Sequence, residues 1–244
     1  MSFTFVTAAR ISMPRKGFDS WLDVPITSAA VIENPADTFV GWYWGDREGQ
    51  ADWGDTETDL TPRQLLAGRV AASCTANGDE VLTVLRYRDG ALEAFLWTVG
   101  YSGAWETTVR RLLLMLAGAA EVKDDGPDDY VLFWEDAVGM LPRRDPDSPL
   151  ALLAVSKGRV RFVGKRPLVE LLAELKPAED AFADLAEALD EDLDVEDPQD
   201  SVVPLDPQYV DPAVLSSIRP QYVDPAVLSS IRSTRPDRPV RMSD

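Results

Sequence analysis

The segment EVLTVLRYR, then Asp89-Gly90, then ALEAFLWTVG constrains the fold more than any other part of the chain. Two β-rich runs around Asp-Gly dictate an antiparallel hairpin, because both turn residues need positive φ, which Asp tolerates and Gly favours. A second pair of runs, LALLAVS and RVRFVG, flanks Lys157-Gly158 and reads as another hairpin. Phe3 to Ala9 alternates weakly as a strand, and 129–135, DYVLFWE, is a further one. Residues 38–44, TFVGWYW, read as a buried aromatic strand.

Helices fall between these runs. Thr61 is placed to cap a helix with Pro62 at its first position, and Leu65, Leu66, Val70 and Cys74 form its stripe. From Ala104 to Ala117 a second helix carries Trp105, Val109, Leu112, Leu113, Leu114, Met115 and Leu116. It is apolar on so many sides that it belongs at the centre. Leu168, Leu171, Leu172 and Leu175 mark a short helix. An acidic one follows, with Phe182, Leu185, Leu189 and Leu193 on one face. The expectation is an α+β fold: an antiparallel sheet built from hairpins, helices on one face, then an acidic helix and a disordered C-terminal tail. In boundaries, this gives a globular domain over 1–176, an acidic amphipathic helix over 177–193 and a tail over 194–244.

Composition excludes much chemistry. Among 244 residues there is no histidine and one cysteine, Cys74. That removes the Ser-His-Asp triad, His-ligated metal sites, cysteine clusters and any internal disulfide. GxGxxG and GxxxxGK[ST] are both absent. Gly100-Tyr101-Ser102-Gly103-Ala104 resembles a nucleophile elbow in outline, but no base exists for Ser102, which reads as a helix cap. Glu135 and Asp136 stand near Asp128 and Asp129 without a spacing that defines acid–base work. No catalytic residue, cofactor or metal site is assigned.

The formal net charge is −18, from 42 acidic and 24 basic residues. Neutralising phosphates needs clustered Lys/Arg, so nucleic acid is not an expected partner; a protein with a basic surface is. Asp46, Glu48, Asp52, Asp55 and Glu57 surround Trp53, an aromatic anchor among carboxylates. Asp55-x-Glu57-x-Asp59 begins like a calcium loop, but Leu60 replaces the turn Gly and Leu66 the bidentate acid. The N-terminal MSFTFVTAARISMPRK has no apolar signal core, and no apolar run is long enough for a membrane span. The expected setting is cytoplasmic, away from membranes.

The tail holds the most specific signal. Glu179 to Asp206 carries twelve acidic residues and no basic one. The segments 207–219 and 220–232 are then identical, each PQYVDPAVLSSIR. In each, Asp precedes Pro (Asp211-Pro212, Asp224-Pro225), a helix cap followed by the residue that best fits the first helical position. Val210 with Leu215, and Val223 with Leu228, are spaced as hydrophobic staples. A two-turn helix is marginal alone in water, so each unit should fold only on docking, onto its own body or into a partner's groove. Tyr209, Val210, Leu215 and Ile218, and in the second copy Tyr222, Val223, Leu228 and Ile231, are the candidate contacts.

Two functional readings follow, both non-enzymatic. In one, the acidic body occludes a basic partner, as an immunity or inhibitor protein does. In the other, the chain is an adaptor or scaffold whose tandem motif recruits a partner bivalently. A carboxylate-based metal enzyme and a carrier of peptide cores matured by another enzyme are lesser alternatives.

Overall fold

The computed structural model describes residues 3–26, 31–33, 35, 59–73, 81–100, 105–136, 150–163, 168–192 and 207–216. Six strands form one antiparallel sheet: β1 (Phe3–Ser12), β2 (Val81–Arg88), β3 (Ala91–Gly100), β4 (Asp129–Asp136), β5 (Leu150–Ser156) and β6 (Arg159–Phe162). Their spatial order is β2-β3-β1-β4-β5-β6. The helices are α1 (Arg15–Leu22), α2 (Pro62–Ser73), α3 (Trp105–Ala117), α4 (Leu168–Asp192) and α5 (Pro212–Leu215).

Local chemistry accounts for much of this. Asp89 and Gly90 take φ of 50° and 75°, so the β2–β3 hairpin turns through two left-handed residues. That twist matches the strands it joins. At the start of α2, Thr61 Oγ1 accepts from the Gln64 backbone N–H, while Gln64 Oε1 accepts from the Thr61 N–H. Two free donors of the first turn are thereby satisfied reciprocally.

Alternation along the strands gives the sheet two apolar faces. Phe5, Thr7, Ile11, Leu96, Phe133 and Tyr87 point one way; Val6, Ala8, Phe95, Trp97, Leu132 and Trp134 point the other. Helices α1, α2 and α3 cover the first face. Phe18 of α1 packs on Tyr87 at 5.6 Å, Arg69 of α2 donates to Thr98 Oγ1 at 3.1 Å, and Trp21 Nε1 ties α1 to the Met115 carbonyl of α3 at 3.0 Å. Residues Leu112 to Ala117 are all buried, so α3 is central, as its composition predicts.

Helix α4 lies on the opposite face, where Phe182 stacks on Phe95 at 4.7 Å. The α+β class and the antiparallel sheet agree with the sequence reading. The placement of every helix on one face does not, because the second face is equally apolar and must also be covered. Nor does α4 divide near residue 176. It is continuous for 25 residues with Pro177 inside it. Ala173 and Pro177 are both exposed, so the carbonyl that proline leaves without a donor can face water. The acidic segment is therefore the second half of a helix that packs on the sheet through Ala178, Phe182, Leu185 and Ala186. The expected strand at 38–44, Cys74, Ser102, Leu189 and Leu193 lie outside what the structure describes of backbone and side chains.

Phe182→Ala should cost about 3–5 kcal/mol, the usual penalty for emptying a buried aromatic site. Urea unfolding should show this as a lowered midpoint in one cooperative transition. A variant as stable as the parent would mean that α4 is not part of the core.

Candidate functional site

Strand β2 ends the sheet, so its outer edge would leave backbone donors and acceptors unpaired. The first tail repeat pairs with it. Leu85 N–H donates to the Tyr209 carbonyl at 2.8 Å, and Asp211 N–H donates to the Leu85 carbonyl at 2.8 Å. Val210 thus forms a parallel bridge with Leu85. The far edge is covered in the same way: Ile32 bridges Val160 of β6, and Glu33 N–H donates to the Val160 carbonyl at 2.8 Å.

Three arginines frame the docked segment. The Arg15 guanidinium grips Asp211 through two hydrogen bonds, Nη1 to Oδ2 at 2.8 Å and Nη2 to Oδ1 at 3.0 Å. This fork-to-fork pairing is the strong geometry for a carboxylate. Arg15 also donates to Asp19 at 2.9 Å and lies over the Phe18 and Tyr87 rings, 5.0 and 5.4 Å from their centroids. Hydrogen bonds to Asp211 first, then to Asp19, raise its pKa above the ordinary arginine value. Arg63 of α2 donates to the Ala213 carbonyl and pairs with Asp23 at 2.7 and 2.9 Å. Arg86 reaches furthest. It donates to the buried Glu93 at 2.8 Å, to the Gln208 carbonyl at 3.2 Å and to the Pro177 carbonyl of α4 at 2.6 Å.

The helix cap of the docked segment forms as the sequence predicts. Asp211 caps α5, accepting from the Ala213 N–H at 2.9 Å, with Pro212 at the first helical position. The described helix is one turn, Pro212–Leu215. Val214 is fully buried, Tyr209 and Val210 are buried, and Leu215 is half-buried. Of the expected tail contacts, Tyr209, Val210 and Leu215 therefore meet the chain's own body. Val214 is the deepest anchor. Ile218, Tyr222, Val223, Leu228 and Ile231 lie outside the described residues. So do the expected body contacts Trp53, Asp46, Glu48, Asp52, Asp55 and Glu57.

Elsewhere the described residues offer less. A recess between sheet and α4 is lined by Arg10, Tyr130, Leu132, Leu171, Glu174 and Leu175. Among the described residues no group of three acidic or thiol side chains could hold a metal ion, and no helix is long and apolar enough to cross a membrane. Comparison with protein-family models, curated proteins and solved structures finds no match.

Arg15, Arg63 and Arg86 escaped the sequence reading, which looked for acidic groups on the body. Their one visible signal was Arg86, a charge inside a strand that is otherwise largely apolar.

Asp211 is almost wholly buried while Arg15 is half exposed. A double-mutant cycle with Arg15→Ala and Asp211→Ala should give a coupling of about 1–2 kcal/mol, below the range for fully buried charged pairs. Additive effects would mean that the pair does not hold the tail. The chain lacks histidine, and the Arg63 guanidinium holds the Asp23 carboxyl below its ordinary 3.8, chiefly by hydrogen bonding. A depressed carboxyl contributes fully above its ordinary value, and that contribution is lost as pH falls through the lowered one. The stability of the body, read by urea unfolding, should keep this contribution from pH 8 to 5 and lose it only below about pH 4. A decline between pH 8 and 5 would contradict this.

Proposed function

We propose that this chain is a non-enzymatic protein-binding protein that recruits a partner through its C-terminal tandem motif. The observation that supports the reading is the way the first copy is bound. A short segment adds to a strand edge, places its Asp on an arginine fork and inserts Val214 into an apolar site. Main-chain pairing supplies affinity and the side chains supply selectivity, as in other strand-addition complexes. A partner for this motif would offer the same chemistry: an open strand edge, a neighbouring arginine and a pocket for a valine. One body edge accommodates one copy, so the other is available for recruitment.

The net charge of −18 favours a second reading, in which the acidic surface occludes a basic protein and speeds its association. The two readings separate experimentally. Tagged full-length protein and a Tyr222→Ala/Asp224→Ala variant are compared as baits at low and moderate salt, with bound proteins quantified by mass spectrometry. Recruitment through the motif predicts a partner held by the parent and lost from the variant. A basic protein held equally by both and released by salt would replace this reading with the inhibitor one.

A further inference from the structure

We infer that both copies of the repeat are ligands for the same β2 edge, and that they take turns occupying it within one chain. The described contacts of the first copy come from Gln208, Tyr209, Val210, Asp211, Ala213 and Val214. Gln221, Tyr222, Val223, Asp224, Ala226 and Val227 reproduce them residue for residue. Among the described contacts of Leu85, Arg15, Arg63 and Arg86 with the tail, none falls on a residue that differs between the copies.

What distinguishes the copies is the tether. From the end of α4 at Asp192, 14 residues (193–206) lead to the first copy and 27 (193–219) to the second. Loop closure weakens only as the 3/2 power of length, so the longer tether disfavours the second copy by about threefold. The second copy accordingly fills the edge for roughly a quarter of the time.

The exchange stays within one chain. A copy bound from a neighbouring chain would make the same contacts while losing the effective concentration that a short tether provides, in the millimolar range. This inference goes beyond the recruiting role and does not depend on it. Its consequence for that role is that a partner can withdraw one copy while the other covers the edge, so binding does not expose an open strand.

The test is hydrogen exchange at the Leu85 amide, which donates to the docked segment, in the full chain and three full-length variants. Asp224→Ala should leave protection within about a factor of two of the parent. Asp211→Ala should reduce it by about fourfold, because the second copy takes over. Asp211→Ala/Asp224→Ala should reduce it well beyond either single change. The Ala94 amide, on the side of β3 that faces β1, should stay protected throughout and reports that the body remains folded. If Asp211→Ala alone lowers Leu85 protection as far as the double variant, the second copy does not use the edge and the inference fails. Leu85 protection in Asp211→Ala that rises with protein concentration would place the second copy on another chain and overturn exchange within one. Neither result bears on whether a partner is recruited, which is read by the baits above.

Discussion

The outer edge of β2, outermost among the described strands and unpaired at Leu85 without the tail, is the constraint on which this structure turns. A six-stranded open sheet has two edges, and each presents backbone groups that would pair with any passing strand. This chain covers both with short parallel bridges, Val210 on Leu85 and Ile32 on Val160. Among the described residues each cover is a single bridge with an ion pair beside it: Asp211 with Arg15 at one edge, Glu33 with Arg159 at 2.6 Å at the other. Covers of this kind are released more readily than a seventh strand would be, and that suits the edge to exchange.

Arg86 connects this edge to the interior. Its three groups of partners lie on β3, on the tail and on α4. Glu93, the carboxylate that anchors it, is buried and also lies 3.9 Å from Arg10. A buried charge is tolerated only when paired, so the Glu93 cluster fixes Arg86 before the tail arrives. The Gln208 carbonyl then meets a donor already positioned. Arg63 works similarly, held by Asp23 at the end of α1 while it donates to Ala213. A preformed site of this kind reduces the ordering cost that a short, otherwise marginal helix must meet on docking.

What could be read from the sequence was what depends on neighbours along the chain. Asp89-Gly90 marked its hairpin, Thr61 with Pro62 marked the start of α2, and Asp211-Pro212 marked the cap of α5. Each is a short-range rule with a backbone cause, and each is observed. Two features were not legible. Pro177 announces a break under the local rule, yet tertiary packing of Phe182 on Phe95 carries the helix through it. The edge site depends on strand order, which places β2 outermost and brings Arg15 beside a residue 196 positions later. The β-rich run Val81 to Arg88 predicts a strand, but nothing local says which of its sides lacks a neighbour.

The most direct test of the account is through-hydrogen-bond scalar coupling by NMR on the full-length protein. Docking of the tail on β2 predicts a cross-peak from the Leu85 amide to the Tyr209 carbonyl, and one from the Asp211 amide to the Leu85 carbonyl. Absence of both, with the Leu85 amide exchanging as fast as an unprotected peptide, would mean that the tail does not complete the sheet.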